Sequence, residues 1–135
     1  MDREGIARTV QGVSAYDYGE SAAALFEVDR LINDSHGDAG ARLLIERELA
    51  ALVDAGVSLA AQQEICKRLW RIGTDASLGS VARLLAAEDP RIVAAGCYAI
   101  GRRPSSRADE VLRAALRRAP EDCRAPIENL IEDRR

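Results

Sequence analysis

Apolar residues recur every three or four positions along almost the whole chain, a spacing that gathers them on one face of an α-helix. Ile6, Val10 and Val13 mark a first helix over residues 3–15, broken by Tyr16-Asp17-Tyr18-Gly19. Ala24, Leu25, Val28, Leu31 and Ile32 line a second, over 21–33, before the polar turn Ser35-His36-Gly37-Asp38. Asp38 is a candidate N-cap for a third helix over 39–54, striped by Leu44, Ile45, Glu48, Leu49 and Leu52. Ala55-Gly56 ends it. Ser58 caps a fourth, in which Ala61, Ile65, Leu69 and Ile72 face one way until Gly73 stops it.

The second half continues in the same manner. Thr74 or Asp75 opens a fifth helix carrying Leu78, Val81, Ala82 and Leu85. Asp89-Pro90 is a cap followed by proline at the first helical position, and the sixth helix then places Val93, Cys97 and Ile100 before Gly101. A seventh, over 105–118, uses Ala108, Val111, Leu112, Ala115 and Leu116. Pro120 starts the eighth, striped by Cys123, Ile127, Leu130 and Ile131. Pro126 removes one of its hydrogen bonds and predicts a kink or a later start. No stretch alternates apolar and polar residues as a half-buried strand does, so the chain reads as all-α with about eight helices.

These helices pair, and the pairs recur. Ile72-Gly73 returns as Ile100-Gly101, and Pro90, Val93, Ala95 and Ile100 correspond to Pro120, Cys123, Ala125 and Leu130. A period near 30 residues built on a helical hairpin predicts a short α-solenoid. Its hairpins fall at about 3–34, 38–73, 75–101 and 105–133, in a single domain spanning 1–135.

Leu84-Leu85, Asp89, Ala94-Ala95 and Ala99-Ile100-Gly101 together resemble the HEAT-like repeat in its short bacterial form. Tyr16-Asp17-Tyr18-Gly19 with Ser21, and Ile72-Gly73-Thr74, are similar to HEAT-like segments of large multidomain bacterial proteins. The resemblance covers roughly residues 38–133. It departs from the usual pattern at Ile92-Val93, where a valine–arginine pair is common, and in the longer helices of the 39–73 hairpin. It implies a right-handed solenoid whose second helices line a concave side, and a role in binding other proteins. The aromatic-rich 34-residue pattern of tetratricopeptide repeats is absent.

Composition agrees with close-packed helices: 24 alanines, the best helix former, stand against five aromatic residues. The net charge of −3 conceals an acidic first half and a basic second half, and of 19 basic residues only Lys67 is a lysine. Arginine favours bidentate anion contacts, though a GC-rich genome gives the same bias. Cys66, Cys97 and Cys123 are widely spaced, with no C-x-x-C pair for zinc or redox work, and read as small buried apolar residues. No apolar run is long enough to span a membrane. Met1-Asp2-Arg3-Glu4 opens no signal peptide, so a reducing cytoplasm is expected unless the chain is part of a longer exported protein.

Candidate chemistry is sparse. His36 is the sole histidine, lying between Asp34 and Asp38 without the further ligands that a metal site needs. No cysteine or serine stands in a recognisable nucleophile–base arrangement, and Gly37-Asp38-Ala39-Gly40 lacks the spacing of a phosphate loop. The expectation is therefore no enzyme activity, no cofactor and no metal. Glu46, Glu48 and Asp54 read as a solvated acidic face. Trp70, beside Lys67 and Arg71, reads either as a surface hot spot or as core.

Two binding readings remain. The first is a protein–protein scaffold whose contact residues are Gln62, Gln63, Lys67, Arg71 and Arg91, with Arg102 and Arg103. The second is nucleic-acid binding by a ridge of Lys67-Arg68, Arg71, Arg102-Arg103 and Arg134-Arg135 at the ends of the second helices. Cations there also complement the helix dipole, and the sequence pI of 5.3 argues against a dedicated duplex binder.

Overall fold

The computed structural model describes residues 2–135. They form eight α-helices: α1 (Arg3–Gln11), α2 (Ala23–Asp34), α3 (Ala39–Ala55), α4 (Leu59–Ile72), α5 (Leu78–Leu85), α6 (Pro90–Ile100), α7 (Ser106–Arg118) and α8 (Glu121–Asp133). Short 3₁₀ turns occupy Gly12–Ala15 and Asp75–Ser77, and there is no strand among the described residues.

Local side chains set most of the helix starts. The side-chain oxygens of Asp2, Asp38, Ser58, Asp89 and Ser105 accept from the backbone N–H groups of Gly5, Ala41, Ala61, Arg91 and Ala108 respectively. Each such cap stabilises its helix by about 1 kcal/mol. Where a cap is missing or misplaced, the boundary differs from the sequence expectation. Ala22 offers no oxygen, and α2 begins at Ala23, two residues later than the expected start at 21. The Thr74 hydroxyl caps the tight 75–77 turn through Ala76 N–H, so α5 starts only at Leu78. The first helix tightens to 3₁₀ after Gln11 yet still buries Val13. α8 runs unbroken through Pro126 from Glu121, and its start is not delayed.

Packing follows chain order. The helices α1, α3, α5 and α7 pack in succession, as do α2, α4, α6 and α8, and each odd helix also meets the even helix after it. This contact pattern is consistent with a helical bundle or a solenoid. One apolar cluster runs through it from Ile6 and Val10 to Leu112, Cys123 and Ile127. Burying each large aliphatic side chain in that cluster stabilises the fold by roughly 1.5–3 kcal/mol.

Both recurring glycines have a packing reason. Gly73 has an ordinary φ of −67°, but a Cβ there would lie 2.0 Å from Nη2 of Arg103. Gly101 has φ +47°, and a Cβ would lie 2.5 Å from Cδ1 of Trp70. Each glycine is required by a large side chain arriving from a neighbouring hairpin.

Candidate interaction site

The arginines expected on an open ridge divide into inward and outward groups. Arg103 is only 7% exposed. Its Nη1 donates to the Thr74 carbonyl (2.8 Å) and to Ser77 Oγ (3.1 Å), while Nη2 reaches the Leu69 carbonyl (3.4 Å). Burial lowers its pKa, partly offset by the nearby carboxylates of Glu46 and Asp75. Arg134 donates to the carbonyls of Gly101 (2.7 Å), Arg103 (2.8 Å) and Ser105 (3.2 Å), and to Asp109 Oδ1 (2.6 Å). Arg68 forms a two-pronged bond to Asp29, with both distances 3.0 Å. These three guanidiniums fasten the fold, and the ridge loses them. Arg103 is thereby corrected from surface contact to internal fastener.

Glu46 is likewise corrected. Expected on a solvated face, it is 1% exposed and accepts from both N–H (2.7 Å) and Oγ1 (2.8 Å) of Thr74. Those two bonds compensate for taking a carboxylate out of water. Asp54 does lie at the surface, paired with Arg83 and bonded by Ser80 Oγ.

Gln62 also turns inward: its Nε2 donates to the Val57 carbonyl (2.9 Å), and its Oε1 is buried without a hydrogen-bond partner. Gln63 is half-buried and accepts from the Tyr18 hydroxyl. Arg91 is exposed but closes back on its own cap residue, Asp89 (2.9 Å), whose carboxyl is held below its ordinary pKa by that hydrogen bond. Lys67, Arg71 and Arg102 remain at the surface. Lys67 pairs with Glu64 (3.2 Å) and Arg71 donates to Asn33 Oδ1 (2.9 Å).

The surface cations surround an aromatic pair. Trp70 on α4 is 51% exposed and Tyr98 on α6 is 49% exposed, with ring centroids 5.9 Å apart and planes tilted by 50°. On one side they wall a groove of about 1030 Å³ that extends to Arg102, Pro126 and Asn129. On the other they wall a smaller depression of about 250 Å³ with Lys67 and Arg71. The rings form a divide between two hollows.

Tyr98 and Asn129 were not among the residues singled out from sequence. The signal for Tyr98 was present: it follows Trp70 at the same 28-residue interval that separates Ile72-Gly73 from Ile100-Gly101.

Nucleophilic and metal chemistry find little here. All three cysteines are buried and unpaired, as expected. Burial pushes the thiols of Cys66 and Cys97 up to about 12 and raises that of Cys123. His36 is exposed in the turn after α2. Among the described residues no group of three or more His, Cys, Asp or Glu side chains is placed to hold a metal ion. No helix is long and apolar enough to cross a membrane.

Compared with protein-family models, curated proteins and solved structures, the chain matches none of them.

Proposed function

We propose that this chain is a non-catalytic protein-interaction module of HEAT-like hairpins that docks a partner protein on the face formed by α4, α6 and α8. Its repeat character is supported by the helix-to-helix order of packing and by the Ile-Gly pairs whose glycines both receive a neighbouring side chain. The functional reading rests on one observation, the half-exposed Trp70–Tyr98 pair beside the large groove. Tryptophan, tyrosine and arginine dominate the energetics of protein interfaces, and leaving two large rings in water is otherwise unfavourable.

The nucleic-acid reading is the weaker one. With Arg68, Arg103 and Arg134 turned into the fold, the basic ridge has lost three of its cations.

Affinity capture from the native host tests the docking face. A partner retained by the unaltered chain and by the remote surface variant Arg117→Glu, but lost from Tyr98→Ala, supports it. Loss with Arg117→Glu and retention with Tyr98→Ala overturns it. A gel-shift series at rising salt tests the other reading, because phosphate contacts weaken steeply with salt; no complex at low salt ends it.

A further inference from the structure

We infer that the occupant of this face is an acidic, extended peptide segment that lays an aliphatic or prolyl side chain against the Trp70–Tyr98 pair and carries carboxylates into both flanking hollows. The inference rests on the docking reading above and adds the partner's chemistry.

Charge carries the argument. Six cations line the two hollows, Lys67, Arg68, Arg71, Arg102, Arg103 and Arg134, against three anions, Asp29, Asp109 and Asp133. Asp29 and Asp109 pair internally with Arg68 and Arg134 and Arg103 is buried, which leaves Lys67 (paired with Glu64), Arg71 and Arg102 at the surface against Asp133. What faces solvent is a net positive surface on a chain whose total charge is −3. Arg102 enters none of the ion pairs among the described residues. Arg102 lines the groove, and Lys67 and Arg71 lie on the other side of the rings. A chain crossing the divide therefore meets cation, aromatic pair, cation in succession. Opposite charge across such a contact steers encounter and excludes wrong partners, and aromatic-lined grooves suit extended peptides with low ordering cost.

Ring geometry separates this occupant from single-stranded nucleic acid. Successive bases need platforms on which to stack. Here the planes are tilted by 50°, and the indole is packed at Cδ1 over Gly101. A wedge of that shape accepts a compact side chain.

The test pans a phage-displayed library of random peptides on the intact chain, then measures selected peptides through the emission of Trp70, the chain's one tryptophan. Enriched peptides are expected to be acidic around an aliphatic or prolyl residue, to shift Trp70 emission, and to lose affinity as salt rises. Arg102→Glu and Lys67→Glu should each weaken them about tenfold or more, while Arg117→Glu, exposed near the end of α7 and outside both hollows, leaves them unchanged. Neutral or basic winners that shift Trp70 emission overturn the acidic partner but keep the docking face. If no peptide of any charge perturbs Trp70, both fail. Oligothymidylate binding more tightly than every selected peptide replaces the inference with nucleic acid.

Discussion

Arg134 repeats the bond that Arg103 makes: each guanidinium donates to a main-chain carbonyl 29 residues earlier, Ser105 in one case and Thr74 in the other. Both acceptor residues also cap the start of the next turn or helix with their hydroxyls. The same device thus occurs twice, in the same register. Arg103→Ala takes a donor from the Thr74 carbonyl and from Ser77 Oγ, which keep their bond to each other, and removes a cation close to buried Glu46, a loss of about 2–4 kcal/mol. Arg134→Ala, at a more solvated site, should cost about 1–3 kcal/mol. Urea unfolding followed by circular dichroism checks both. A midpoint for Arg103→Ala equal to that of the unaltered chain would remove the buried guanidinium from the account.

Gly101→Ala imposes two penalties at once, a positive φ and a Cβ inside the indole contact. Together they should cost about 2–3 kcal/mol. Because the indole must move, emission of Trp70 should also shift to the red. Gly73→Ala lacks the backbone penalty and should destabilise by displacing Arg103 and crowding the Leu69 carbonyl. Unchanged emission in Gly101→Ala would contradict the packing of Trp70 on that residue.

Acid should weaken the fold partly through Asp109. Its hydrogen bond from Arg134 holds the folded carboxyl below its ordinary pKa. The unfolded state therefore takes up the proton first, so the stabilisation is present above the unfolded carboxylate pKa of about 4 and fades as pH falls through the folded value. The stability difference between the unaltered chain and Asp109→Asn should be largest near neutrality and shrink in acid. A difference that is constant with pH would refute the assignment.

Alkali acts through the cysteines with the opposite sense. Cys66 and Cys97 are pushed from 9.0 to about 12 by burial, so above pH 9 the unfolded thiols ionise while the folded ones do not. Stability should decline as pH rises from about 9 toward 12, and Cys66→Ala should flatten that decline. At pH 8 a thiol reagent should react with the folded chain only at the rate of opening, and rapidly with all three cysteines in urea. Fast labelling of the native chain would contradict their burial.

Helix positions were legible because caps and apolar stripes are local signals: Asp38, Ser58 and Asp89 announce their helices within three residues. The misreadings concern groups whose partners lie far away in sequence. Nothing near Glu46 discloses that Thr74, 28 residues on, will supply two donors. In Arg102-Arg103 the two side chains are chemically identical, and only Thr74, Ser77 and Leu69 decide which one turns in. For Trp70 the apolar pattern alone allows core or surface, but helical geometry favours the surface. Successive residues differ by about 100°, so inward Leu69 points its neighbour away, toward the side of Lys67 and Arg71. The pairing with Tyr98 lies on another helix and needs the packing of α4 on α6.

The backward reach of the arginines also orders events in time. During synthesis the Thr74 turn is made well before Arg103, and the Ser105 turn before Arg134. The joints at Thr74 and Ser105 therefore each gain a fastening arginine from a segment made later, at Thr74 in addition to the hold of the earlier Glu46. The chain is written forward and fastened backward.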